Sequence, residues 1–281
     1  MRGELNWVVA LMPEAQVVID AFSLNRIERK SGLFPVYESS DQSVRLVISG
    51  IGKVNAAAAT AALAATSESI RGASGWINFG IGGCSEARYG EALMASRVTD
   101  AGTGRSWYPA PVWPKRVDLP RMPIMTVEKP VVDYSSFAGL VEMEAAGFYP
   151  VALRQSSTEL TQVIKVVSDD PEHSIDSLNR EKAYNLCLKA WEGMENWLRA
   201  FREVISAESA RLADPPGFEE WCAGFHFTVT SQHQLRRLLQ EWHALSGGGE
   251  PLPYPAKGNG KWALKFLQKK LEEKRRGEIA G

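Results

Sequence analysis

The run 141-VEMEAAGFYPVA-152 places two carboxylates, Glu142 and Glu144, on either side of Met143, then follows them with Ala145, Ala146 and Gly147 in an apolar stretch. An ionised carboxylate taken out of water is costly unless it is paired or hydrogen-bonded. Read only as a helix over 140–154, the run strands its acids. Read as the end of a strand or loop, it delivers Met143 and Glu144 to a ligand, and the small residues pack closely as a helix begins.

Working outward, short apolar runs alternate with helical ones. WVVALM (7–12) predicts a buried strand that opens at Pro13-Glu14 into a helix ending near Phe22. VRLVISG (44–50) predicts a second strand, and GIGKVNAAAATAALAATSES (50–69) an alanine-rich helix of high propensity. GWINFGIGG (75–83) predicts a third strand ending in a glycine-rich turn, 80-GIGG-83. YGEALMASRVTDAG (89–102) predicts a turn and a strand, MPIMTVEKPVV (122–132) an extended run, and LTQVIKVVSDD (160–170) a strong strand. This alternation indicates an α/β fold with a mixed, mostly parallel central sheet flanked by helices. Ligands in such sheets sit at the carboxyl ends of the strands.

Beyond Asp170 the pattern becomes helical. Residues 178–212 carry Leu186, Ala190, Trp197, Phe201 and Val204 on roughly one face. Asp214-Pro-Pro-Gly217 is a break, the span 218–245 is expected to hold another helix with Ser231 as a candidate N-cap, and 261–276 predicts a basic amphipathic helix. The expected organisation is an α/β domain over 1–170, a helical extension over 171–245, a Gly/Pro linker over 246–260 and a basic terminal helix over 261–281. Residues 257–276 have a net charge of +6. A solvated helix docked through Leu264, Leu267 and Leu271 is the simpler reading of it, and a nucleic-acid contact the less favoured alternative.

Composition narrows the function. The 281 residues are 44% apolar and 23% charged with a formal charge of −1, an ordinary globular balance that predicts no nucleic-acid partner. Cys84, Cys187 and Cys222 lack paired spacing, which suggests a reducing compartment. The six apolar residues before Pro13 are too few for a signal-peptide core, and no stretch reaches membrane-spanning length, so a cytoplasmic location is expected. His226, His233 and His243 have no acid or cysteine to complete a metal set, and no cofactor is implied.

Four features fall at strand ends or turns: Glu14, the turn 80–83, Glu142-Met143-Glu144, and Ser168-Asp169-Asp170. Each has a plain alternative. Glu14 suits the first turn of a helix, where an acid complements the dipole. The glycines suit a tight connection, and Asp169 or Asp170 a helix N-cap. GIGKVN lacks the spacing and Lys-Ser/Thr ending of a nucleotide-binding P-loop.

Taken together, ALMPEA, SGIGKVNAAAAT, INFGIGG, VEMEAAG and VIKVVSDD, in that order, resemble the purine nucleoside phosphorylase/uridine phosphorylase superfamily, nearest its methylthioadenosine/S-adenosylhomocysteine nucleosidase branch. The resemblance covers about residues 5–170. It implies a nucleoside phosphorylase-like fold, a nucleoside substrate, homo-oligomeric assembly and cleavage of an N-glycosidic bond. Glu14 matches the acid that holds the attacking water. Met143 and Glu144, in a motif opened by Glu142, match the residues that pack under the ribose and bind its hydroxyls. Asp169, oriented by Ser168, matches the acid that stabilises the departing purine. The chemistry suits these residue types independently: one group protonates the leaving base while another places water on the far face of the sugar.

Three departures accompany the resemblance. Ile81, beside Gly82, stands where phosphorylases place a phosphate-binding hydroxyl, which favours water as nucleophile. Lys165 stands where nucleosidases carry arginine, keeping the charge without the fork. The stretch 103–141 is shorter than its counterpart, with Trp107, Tyr108 and Trp113 as candidates to fill the gap. A more open pocket for a purine nucleoside with a bulky 5′ group is therefore expected. A phosphorolytic enzyme and a non-catalytic nucleoside-binding scaffold are the alternatives.

Overall fold

Both faces of the first strand are buried, which suits the apolar run that begins at Trp7. In a computed structural model, which describes residues 4–28, 32–66, 73–131, 133–134, 137–247, 251–255 and 257–279, this strand is β1 (Glu4–Val9). It starts earlier than its apolar run suggested and stops sooner, because Met12 already belongs to α1 (Met12–Phe22) with Pro13 in its first turn. Next come β2 (Asn25–Ile27), β3 (Val36–Glu38), β4 (Val44–Ile48) and α2 (Lys53–Ala64). Helix α2 ends at Ala64, short of the expected 69, with 65–66 in a turn; residues 67–69, Val132 of the extended run and part of the linker 246–260 lie outside the described residues. The chain continues through β5 (Ser74–Gly83), β6 (Ala92–Asp100), β7 (Ser106–Trp107), β8 (Arg121–Thr126), β9 (Leu140–Glu142), α3 (Ala145–Ala152) and β10 (Thr161–Asp169).

The sheet runs β10-β6-β8-β9-β5-β1-β4-β3-β2, and β10 also pairs with β5. Strands β5, β10, β6, β8 and β9 thus close a ring, from which β1 to β4 extend as an open wing. Among the described residues five strand pairings are parallel and five antiparallel, so the sheet is mixed rather than mostly parallel. The glycine-rich segment 80–83 is not a turn. It continues β5, with Lys165 opposite Gly80, Val166 opposite Ile81 and Asp169 opposite Gly83, and Gly83 also meets Val141 of β9. Glycine is needed because neighbours fill the space a side chain would take: a Cβ on Gly82 would lie 2.6 Å from Leu140 Cδ2 and 2.8 Å from Val141 O.

Two cores sandwich the sheet. On one face Val8, Leu63, Trp76, Phe148, Tyr149 and Val163 join the sheet to α2 and α3. On the other, Trp7, Val18 and Phe79 meet Trp191, Trp197 and Phe201 of α4 (Arg180–Leu212). The residues expected to open a separate extension therefore pack with the sheet, and the chain divides into compact units at Met1–Leu212 and Ala213–Gly281.

The second unit holds α5 (Phe218–Gly224), α6 (Val229–Leu245) and α7 (Gly260–Ile279). The span 218–245, expected to hold one helix, holds two, separated by an extended link on which Phe225 and Phe227 are both buried, a spacing that a helix would place on different faces. Thr228, not Ser231, caps α6, its Oγ1 accepting from Ser231 N–H. Leu264, Leu267 and Leu271 of α7 are buried against this unit's own core, while Lys270 pairs with Glu273 and Arg275 with Glu241. Among the described residues no helix is long and apolar enough to cross a membrane, and no group of three His, Cys, Asp or Glu is placed to hold a metal ion.

Candidate active site

Where the strand ring closes at the carboxyl end of β5, a cavity of about 370 Å³ opens. Glu14, Ile81, Gly82, Glu142, Met143, Glu144, Ser168 and Asp169, drawn from four segments, all line it. Lys165 lies directly beneath as a fully buried side chain. The arrangement follows from strand direction: β5 and β10 are parallel neighbours whose carboxyl ends finish at the same edge.

Glu14 is buried at the start of α1. Its Oε2 accepts from Leu11 N–H at 2.8 Å and its Oε1 from Ile81 N–H at 3.0 Å. The sequence thus serves both readings of this residue, because the acid that closes the first turn also reaches the cavity. A Cβ on Gly80 would lie 2.9 Å from Oε1, so the glycine admits the carboxylate against the strand. Burial raises its pKa from 4.5 to about 7; Glu144 adds to the shift, while Lys165 and the two N–H groups hold it back.

Glu142 and Glu144 have different surroundings. Glu142 accepts from Thr126 Oγ1 and from the N–H groups of Glu144 and Ala145, both at 2.9 Å, and its Oε2 lies 2.9 Å from Lys165 Nζ. Its oxygens start α3 and hold the lysine. Glu144 accepts from Gly52 N–H at 2.9 Å and lies 3.4 Å from Lys165 Nζ. Gly52 takes a φ of +102°, which explains the glycine in GIGKVN: that loop aims a backbone donor at Glu144. Burial raises the pKa of Glu144 against the pull of Lys165. Burial lowers that of Lys165, but Glu142, Glu144 and Glu14 outweigh it and raise the value, so the ammonium persists.

Asp169 ends β10 and is buried. Ser168 Oγ donates to its Oδ1, and Tyr134 O–H donates to its Oδ2. Sequence reading missed Tyr134, because no motif surrounds it. The aromatics favoured instead are elsewhere: Trp113 donates to Asp118 and packs on Trp197 and Phe201, and Tyr108 is exposed. The wall left by the shortened stretch is supplied by Val127, Pro130, Val131 and Tyr134.

The fold is similar to that of solved methylthioadenosine nucleosidases and of a futalosine hydrolase. Three solved structures illustrate it. The methylthioadenosine nucleosidase of Arabidopsis thaliana, in apo form, is 17% identical with a TM-score of 0.56, covering 75% of this chain and 99% of its own. The methylthioadenosine/S-adenosylhomocysteine nucleosidase of Colwellia psychrerythraea, in complex with adenine, is 19% identical with a TM-score of 0.52, covering 69% and 96%. Futalosine hydrolase of Helicobacter pylori is 13% identical with a TM-score of 0.54, covering 70% and 97%. At these identities the likeness is one of fold. No family model and no curated protein matches the sequence.

Proposed function

We propose that this chain hydrolyses the N-glycosidic bond of an adenine-type purine nucleoside and releases the free base. The observation that carries the reading is the placement of two acids along one strand. Glu14 meets β5 at Gly80 and Ile81, whereas Asp169 meets it at Gly83. Two to three residues of strand amount to roughly 7–10 Å. That leaves room for a water and the anomeric carbon between a base and an acid.

In this scheme Glu14 takes a proton from the attacking water, a task suited to a carboxyl whose pKa lies near neutrality. Glu144, fixed by Gly52 N–H and Lys165, accepts from the ribose hydroxyls while Met143 packs beneath the sugar. Asp169, fixed by Ser168 and Tyr134, faces the purine and stabilises charge developing on it. Glu142 braces Lys165 and the start of α3 behind them.

Water is favoured over phosphate by charge. Glu14, Glu144 and Asp169 line the cavity, and the ammonium of Lys165 is engaged by Glu142 and Glu144. Ile81 offers an oxyanion only an apolar side chain, its N–H being bonded to Glu14. The apolar lining from Val127, Pro130, Val131, Ile175 and Leu178 suits a substituent at the 5′ position. Purine nucleosides assayed by HPLC for free base, with and without phosphate, test the proposal. Release independent of phosphate supports it, phosphate-dependent release points to phosphorolysis, and no release from any nucleoside points to a binding scaffold. A cytoplasmic, homo-oligomeric protein belongs to the same reading, and light scattering tests the assembly.

A further inference from the structure

Asp169 does not meet the cavity as a bare carboxylate. Tyr134, buried on the segment between β8 and β9, lines the same cavity and donates its hydroxyl proton to Oδ2. Gly83 makes this pairing possible. A Cβ there would collide with both the Tyr134 oxygen and the Asp169 carboxylate, so only glycine lets the two side chains meet over β5. Burial first, then the hydrogen bond and charge of Asp169, push the phenol above its ordinary pKa, so it keeps its proton at neutral pH.

The pair has two hydrogen-bonding characters. A carboxylate only accepts, whereas a phenol gives one proton and also accepts. A purine with a 6-amino group presents donors, which Asp169 receives. A purine with a 6-oxo group presents lone pairs, which a carboxylate alone would repel. Rotation of the Tyr134 O–H away from Asp169 meets that oxygen with a donor. In the free base the imidazole ring carries its own N–H, and in the N7–H tautomer that group replaces the donor that Asp169 gave up, so no buried acceptor is left unpaired.

We infer that Tyr134 is a specificity-determining residue that extends the base pocket to 6-oxopurine nucleosides as well as 6-aminopurine ones. This rests on the reading of the cavity as a nucleoside site and adds a second substrate class to it.

The test is calorimetric titration of adenine and of hypoxanthine into the full-length wild type and into Tyr134→Phe, which preserves the ring and removes only the hydroxyl. The wild type should bind both bases within about tenfold of each other. The variant should lose roughly tenfold in hypoxanthine affinity and less than about threefold in adenine affinity, as expected for one neutral hydrogen bond. Equal weakening of both bases would show a merely structural hydroxyl and overturn the inference, as would unchanged hypoxanthine binding or a wild type that binds no hypoxanthine. HPLC of inosine and adenosine incubated with the same samples reports separately on hydrolysis. Base binding with the predicted Tyr134 dependence but no base release upholds the inference and overturns only the hydrolytic reading.

Discussion

Lys165 Nζ and Glu142 Oε2 form an ion pair 2.9 Å long in which the two side chains are 1% and 0% exposed. This pair is the base of the candidate site: Glu142 also starts α3, and Lys165 also holds Glu144. Breaking a buried pair from one side leaves an uncompensated charge. Lys165→Met should therefore lower stability by about 3–5 kcal/mol at pH 8. Urea denaturation should show the loss shrinking at pH 5, where the carboxyls left in the cluster can take up protons.

Glu14 links stability to pH in a defined direction. Its folded pKa lies near 7 against 4.5 for the free side chain, so the protonated form is the one the fold favours. Its favourable contribution is complete below about 4.5 and is lost as pH rises through about 7. Glu14→Gln removes this dependence. Relative to wild type, the variant should gain on the order of 3 kcal/mol between pH 4.5 and 8, while base release falls to background. Thermal melts across that range, read as the difference between the two proteins, check the sign.

Asp169→Asn keeps the shape of the side chain and removes its capacity to carry or share a proton with the base. Base release should fall by about 10²–10⁴, while nucleoside binding measured by calorimetry persists. Loss of binding together with turnover would assign Asp169 a purely architectural role.

Gly147 and Gly193 make an internal contrast. A Cβ on Gly147 would fall on the carbonyl of Lys53, where α3 crosses the start of α2, so Gly147→Ala must push two helices apart. Overpacking of this kind costs typically about 1–3 kcal/mol and more against backbone. Gly193 is exposed within α4 with nothing within 4 Å of an added Cβ. Gly193→Ala should stabilise by about 1 kcal/mol through helix propensity. Opposite shifts in melting temperature are the expected result.

Apolar periodicity and glycine placement are local signals, and they mark the main strands and helices on either side of the motif VEMEAAG. The sequence by itself also placed Glu14, Met143, Glu144 and Asp169 at the ends of those elements, where the fold gathers them around one cavity. What it left open was decided by partners distant in the chain. The segment Gly80-Ile81-Gly82-Gly83 reads as a turn in isolation, yet it forms a strand because β10 pairs along it. The acids Glu142 and Glu144 on either side of Met143 look equivalent in sequence and separate only when Lys165, Thr126 and Gly52 approach them. Tyr134 carries no motif at all. It reaches Asp169 because the ring of strands closes beside it and Gly83 leaves the space, a contact between residues 35 positions apart that no local pattern encodes.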